Sequence, residues 1–442
     1  MTTTIWTFLP WTQEHSRRAR KHENPCLLLV APCLGLLVGA TLLPRIASVP
    51  PVAYVPVGRG PSAVAIDGVL HRAFVVNHDD ASLTVVDLQR KTVIRTVKLS
   101  VTTASLAVDT QTARVFVAET SSDSHNGQHV RFGHDVIMLD AHDGRIVRTT
   151  VVGEAPGALT IDASRGRVFV GVSFHNHEGV QVLDARHGTI VQTIILGPVH
   201  TPTSAFAPSS PCALGVDEQR DRVIVVGEAL STLDVIDAAS GRLVKSTPVP
   251  LHLCPEAAQT LAVDERAGHT FVGIGVPTNR VLMFDNLSGA LLHTTMYARR
   301  SDEPRIIAAD STTEQVFALV GGFGGVAIHV LDAQHDRDEH ILRGGFQYYT
   351  FAVDASQHHL FLARLSTLDH HAPANLHSSP RQGLIDVVDT RTDLIIKTVT
   401  LSIVPSLLSV DPETNSILVI SPGVHRVGHR PGTGVLTVIT VP

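Results

Sequence analysis

Residues 60–87 read GPSAVAIDGVLHRAFVVNHDDASLTVVD. The stretch holds two apolar runs that each close on Asp, Ala63-Val64-Ala65-Ile66-Asp67 and Leu83-Thr84-Val85-Val86-Asp87. Between them lies a third run, Ala73-Phe74-Val75-Val76, bounded on both sides by turn-forming residues. Short β-branched runs punctuated by Asp, Gly and Asn read as strands joined by tight turns. The first run returns as LAVD (Asp109), LTID (Asp162), LGVD (Asp217), LAVD (Asp264), IAAD (Asp310), FAVD (Asp354) and LSVD (Asp411). The second returns as VIMLD (Asp140), VQVLD (Asp184), LDVID (Asp237), VLMFD (Asp285), IHVLD (Asp332) and IDVVD (Asp389), then as VLTVITV at 435–441 without its Asp.

The first-run Asp residues are 42 to 57 residues apart, room for four strands each. In the first unit these are Ala63–Ile66 (A), Ala73–Val76 (B), Leu83–Val86 (C) and Thr92–Leu99 (D). Four antiparallel strands per unit make one blade, so the repeat predicts an all-β fold, an eight-bladed β-propeller. Seven blades is the alternative, should the long loops distort the register. The last unit has A, B and C but no D. The segment Ala53–Val57 precedes the first A strand and is expected to pair with Val435–Val441, closing the ring and hiding both terminal edges. Pro56 suits such an outer strand, where a missing N–H breaks no ladder.

The repeat also assigns its Asp residues. At the end of a strand, a carboxylate accepts backbone N–H groups of the turn that follows. Gly144, Gly188 and Gly241 sit in the C–D turns, where positive φ is tolerated. All fifteen repeat Asp residues are therefore expected to be structural and none catalytic.

Composition narrows the function classes. The chain has 442 residues, 44% hydrophobic and 17% charged, enough for a large core. A net charge of −6 argues against a phosphate-binding surface, and 5% aromatics argues against base-stacking platforms, so nucleic acid is not an expected partner. Ahead of the repeats, Arg17, Arg18, Arg20 and Lys21 precede an uncharged run from Cys26 to Leu43. The expected organisation is a cytoplasmic basic tail (1–24), a transmembrane anchor or signal segment (25–44), a linker (45–51) and the propeller (52–442). Basic residues before an apolar run place the propeller outside the cytoplasm, on a single-pass membrane anchor or secreted after cleavage. In that setting Cys212 and Cys254, which precede consecutive repeats, form a candidate disulfide; two separate buried thiols is the competing reading.

The run Gly60–Asp67, then Ala73-Phe74-Val75-Val76-Asn77, then Leu83–Asp87, resembles the YVTN family of β-propellers, which includes YncE-like and surface-layer-like proteins. The resemblance covers about residues 52–442 and implies the fold, but no specific ligand. The tetrapeptide drifts from FVVN in the first repeat to FVAE, FVGV, IVVG, FVGI, FALV, FLAR and LVIS, and only Asn77 keeps the family Asn. Trp-Asp blade endings are absent, and both Trp residues, Trp6 and Trp11, precede the repeats.

Two candidate sites follow from blade topology. The B–C and D–A connections share one face, and the long ones (Ser121–His134, Ser366–Gly383, Ser421–Gly434) are B–C loops. Eleven of the 25 histidines fall in B–C connections of blades 7, 8, 1, 2 and 3: His370, His371, His377, His425, His429, His78, His125, His129, His134, His175 and His177. Imidazoles with nearby carboxylates suit a transition metal, while solvated loop histidines are the bland reading. The D–A connections direct Arg59, Glu154, Glu256, Arg305, Gln347 and Tyr348 toward the channel mouth, a candidate ligand site, against the plain reading that they solvate its rim. The expected function is a membrane-anchored, extracytoplasmic binding or recognition scaffold for a protein, cell-wall or small-molecule ligand. The alternative is a metal- or haem-dependent redox or hydrolytic enzyme. No haem-attachment CxxCH and no Ser-centred nucleophile motif supports it.

Overall fold

The computed structural model describes residues 52–100, 103–119, 121–122, 131–175, 177–198, 210–227, 230–249, 261–275, 278–297, 302–322, 325–335, 337–342, 348–366, 382–422 and 432–440. They belong to one compact unit, Val49–Pro442. Among them no helix is long and apolar enough to cross a membrane. The apolar run Cys26–Leu43 lies outside the described residues.

The repeats form eight four-stranded antiparallel sheets arranged as a propeller ring. In blade 1 the strands are Pro61–Asp67, Arg72–Asn77, Ser82–Asp87 and Thr92–Lys98. Blades 3 to 7 each use four consecutive strands, and blade 2 uses four with two short strands inserted between its second and third. Blade 8 combines Leu407–Asp411, Ser416–Ser421 and Val435–Thr440 with Val52–Pro56 from the other end of the sequence. Tyr54 lies opposite Thr437 and Pro56 opposite Val435, so the expected closure is present. Within the B–C connection of blade 2, Ser121–Ser122 and Arg131–Phe132 pair as a small extra ladder.

Burial runs in three zones. B and C strands are buried almost throughout, A strands are half-buried, and D strands are exposed on the outside. A strand sandwiched between two neighbouring blades must be apolar on both faces, and B and C strands read that way. The third residue of strand B is Phe74, Phe116, Phe169, Phe271, Phe317 and Phe361 in six blades, with Ile224 and Leu418 in the other two. All are at most 2% exposed. The core is divided into eight apolar clusters, one at each blade–blade interface. One joins Val55, Leu418 and Leu436 of blade 8 to Ala73, Val75 and Val86 of blade 1, so the ring is closed by packing as well as by the ladder.

The repeat Asp residues do the turn chemistry expected of them. After strand A, Asp67 accepts the N–H of Leu70, Asp109 that of Gln111, Asp162 that of Arg165 and Asp217 that of Arg220. Asp264, Asp310, Asp354 and Asp411 accept from Arg266, Thr312, Ser356 and Glu413. After strand C, Asp87, Asp140, Asp184, Asp237, Asp285, Asp332 and Asp389 each accept an N–H two or three residues on. Each A–B turn ends on a residue with positive φ: His71, Ala113, Gly166, Asp221, Gly268, Glu314, His358 and Asn415. Six of these are not Gly, so the turn hydrogen bonds offset a local backbone cost.

Candidate functional site

The D–A and B–C connections meet on one face, and specific polar side chains join them. Arg59, in the connection that enters blade 1, is bound twice by Asp80 of the B–C turn: its N–H donates to Oδ2 and its Nε to Oδ1, both at 2.7 Å. The backbone N–H of Arg59, its side chain, and the charges of Arg59 and Lys98 together hold the Asp80 carboxyl below the usual range, against the opposing pull of burial. Between blades 1 and 2, the N–H and hydroxyl of Ser100 donate to the buried Glu119 at 2.9 and 2.6 Å. Between blades 2 and 3, the N–H of Gly153 donates to Gln181 Oε1. Glu154 then exchanges backbone hydrogen bonds with Ser173, and its Oε1 stands 4.0 Å from His175 Nδ1. Glu178 accepts from the N–H of Leu230 in blade 4.

This arrangement draws residues of both sequence-derived sets together. Glu154 of the mouth set lies beside His175 of the histidine set. His175 is 92% exposed at its side chain and has φ of 54°. His78 stands 3.5 Å from Asp79 and is exposed, as are His134 and His177. Arg305 is exposed and 3.7 Å from Glu303. Among the described residues, no group of three or more His, Cys, Asp or Glu is placed to hold a metal ion. His125, His129, His370, His371, His377, His425, His429, Glu256 and Gln347 lie outside the described residues. Cys212 is disulfide-bonded; Cys254 lies outside the described residues.

Tyr348 departs from its expected place at the mouth. It is 3% exposed, with its ring packed between blades 6 and 7 against Phe317, Leu319, Phe351 and Leu362. A large, mostly apolar side chain beginning an inner strand gains more by filling an interface than by lining a wet rim.

Several polar residues that sequence reasoning passed over sit inside the blades. Three positions before the strand-C Asp, or its equivalent in blade 8, lie Thr84, Ile137, Gln181, Asp234, Leu282, His329, Asp386 and Thr437. Six of the eight are polar in a strand that is otherwise apolar, a periodic signal hidden by attention to the turn Asp residues. Asp386 is fully buried and paired with Arg364 (Nε–Oδ2 2.5 Å), and it also accepts from the hydroxyl of Thr398. Asp234 is equally buried but has hydroxyl partners instead, Thr232 and Ser246. Burial pushes its carboxyl up, and those two hydrogen bonds only partly offset the push.

No protein-family model matches the chain, and no curated protein matches it. Solved structures do. The chain is similar to Saccharomyces cerevisiae Sqt1 (TM-score 0.60, 12% identity, covering 88% of this chain and 98% of that one). It is also similar to the Dos1 propeller (TM-score 0.60, 11% identity, 89% and 95%). A third is the dihydro-heme d1 dehydrogenase NirN in complex with DHE (TM-score 0.57, 13% identity, 77% of this chain and 66% of that one). At such identities the likeness establishes the fold alone: the protein is a β-propeller.

Proposed function

We propose that the chain is a YVTN-type propeller that works outside the cytoplasm as a binding scaffold, with the D–A and B–C connections as its recognition face. One contrast carries this reading. Every repeat Asp accepts a backbone N–H of its own turn. On the opposite face polar side chains tie one connection to the next and leave His78, His134, His175 and His177 exposed. Irregular connections fixed on a rigid ring are the usual carriers of recognition. A disulfide-bonded Cys212 fits an oxidising compartment, as does a basic cluster before the apolar run 26–43. The ligand class that fits is an extracytoplasmic protein or cell-wall saccharide engaged by neutral polar and imidazole groups. No step of the reading needs a catalytic group.

The test is site-directed photo-crosslinking in cells, with the crosslinking residue at position 175 or 187. A discrete adduct from position 175 and none from 187 supports the reading, and the reverse overturns it. A phosphatase reporter fused after residue 51 checks the compartment separately: activity is expected only if the fusion leaves the cytoplasm.

A further inference from the structure

Seven outer strands carry the same interruption. In blades 1 to 7 the ladder between strands C and D skips one D residue, a β-bulge at Ile94, Val147, Val191, Val244, Leu292, Glu339 and Ile396. Six of the seven are apolar, and those six are 38% to 54% exposed. In the same six strands the residue before the bulge is apolar and exposed as well, as Val93 and Ile395 are. The residue after it is basic in four: Arg95, Arg148, Lys245 and Lys397. A bulge bends an edge strand and spoils it as a template for another strand. The outer edge of the ring therefore keeps a belt of apolar pairs, most of them flanked by a cation, that does not invite strand pairing.

Apolar side chains beside basic ones suit the headgroup boundary of a bilayer, where both gain. A rigid ring standing on its edge meets a plane along one arc, and the path of the chain selects which. Val52 lies opposite Ile439 and Pro56 opposite Val435, so the outer strand of blade 8 is entered from the turn-face end. The uncharged run 26–43 ends eight residues before it, at 44–51. Fully extended, such a connection reaches about 30 Å. The arc nearest that tether is blade 8 with its neighbours, blades 7 and 1. It exposes Tyr54, Leu394, Ile395, Ile396, Val93 and Ile94. The Tyr54 hydroxyl accepts the N–H of Ser402, which ties the outer strand of blade 8 to the connection leaving blade 7. Arg90 pairs with Asp87 and Arg391 with Asp389, so Lys91, Arg95, Lys98 and Lys397 remain as cations on this arc. Beyond it, blade 6 carries Asp338 and Glu339 at its bulge, which an anionic surface repels.

We infer that the outer edges of blades 7, 8 and 1 form a membrane-contact surface, resting on anionic lipid beside the anchoring run. The inference rests on the extracytoplasmic reading above with 26–43 in the bilayer. A ring held on this arc keeps both faces in water, so the loop face stays open to its ligand.

The experiment is photo-crosslinking of the full chain reconstituted in vesicles of phosphatidylcholine and phosphatidylglycerol, read by the mass of the adduct. The crosslinking residue stands at position 94, 395 or 244. Position 244 has the same local chemistry, a bulge followed by Lys245, on the far side of the ring in blade 4. Lipid adducts are expected from 94 and 395 at least about fivefold above 244, with a similar loss when phosphatidylglycerol is omitted. Combining Ile94→Glu with Ile396→Glu, a residue that blade 6 already carries at its bulge, removes the adduct from 395 without disturbing the fold. Equal yields at 94 and 244, or a yield at 395 that survives both Glu residues, overturns the proposal. Adducts of twice the chain mass in place of lipid adducts overturn it in favour of a second copy. Vesicle flotation separates the layers of the argument: a chain that does not float overturns anchor and edge together, and a floating chain without lipid adducts overturns the edge alone. The loop-face reading is decided independently at position 175.

Discussion

The two faces of the ring are built by opposite means. On the A–B and C–D face one rule repeats: an Asp accepts an N–H of its own turn, and contacts such as Arg165–Asp221 and Asn286–Asp217 join one blade's turns to the next. On the D–A and B–C face a backbone bond recurs (Leu99 to Ala81, Val152 to His134, Val249 to Ser231, Tyr297 to Asn279), but the described side-chain contacts differ from copy to copy. Arg59–Asp80, Ser100–Glu119 and Gly153–Gln181 are three solutions to one task, fixing an entering connection to a blade, while Glu178–Leu230 joins strand C of blade 3 to the B–C connection of blade 4. A face built by repetition can be identical around the ring; a face built by individual contacts can differ by sector, which recognition requires.

The sharpest break of this contrast lies in the buried pair toward the loop face of blade 7. Arg364→Met leaves the Asp386 carboxylate buried without its cation and is expected to cost about 3–5 kcal/mol in urea denaturation. Adding Asp386→Leu should recover most of that loss, since the remaining site is apolar; a double variant as unstable as the single would contradict the pairing. A turn-face carboxylate costs less. Asp109→Ala removes acceptors for Gln111 N–H and the Thr112 hydroxyl and should destabilise by about 1–2 kcal/mol, leaving loop-face binding intact.

Asp234 sharpens the comparison through pH. Its folded-state pKa is raised by burial, so the folded protein holds this proton more tightly than the unfolded chain. Stability from this group is fully present below the ordinary Asp range and is lost as pH rises through the raised value. Asp234→Asn should therefore stabilise by about 1 kcal/mol at neutral pH, with the gain disappearing in acid below the ordinary range. Equal effects at both pH values would contradict the assignment. The smallest effect belongs to Arg59→Ala, at most about 1 kcal/mol, because the guanidinium is 41% exposed. Asp80 is depressed, so that contribution is present above the ordinary Asp range and fades as pH falls through the lowered value.

How legible each part was in the sequence follows from the same contrast. The ring, its closure by Val52–Pro56 and the role of each turn Asp are readable because a repeat states its rule eight times. The interior polar position of strand C was equally periodic, yet Thr84, Gln181, Asp234 and Asp386 differ in chemistry and do not announce a common place. Tyr348 was misplaced because its position in the chain, at the head of an inner strand, does not reveal which way a large ring turns. The contact of His340 Nε2 with Asp393 Oδ2 between blades 6 and 7 joins residues 53 apart in the chain, one of them an Asp where four other C–D turns carry Gly. No local pattern carries such a meeting.

The central claim is that one face is occupied in the cell and the other is not. Histidine footprinting with diethyl pyrocarbonate, in intact cells and on the purified chain, tests it without knowing the ligand. His134, His175 and His177 report the loop face, and His142 and His187 report the turn face; all five are exposed. The account predicts weaker labelling of the first three in cells and equal labelling of the other two. Equal labelling of all five, or protection confined to His142 and His187, would contradict it.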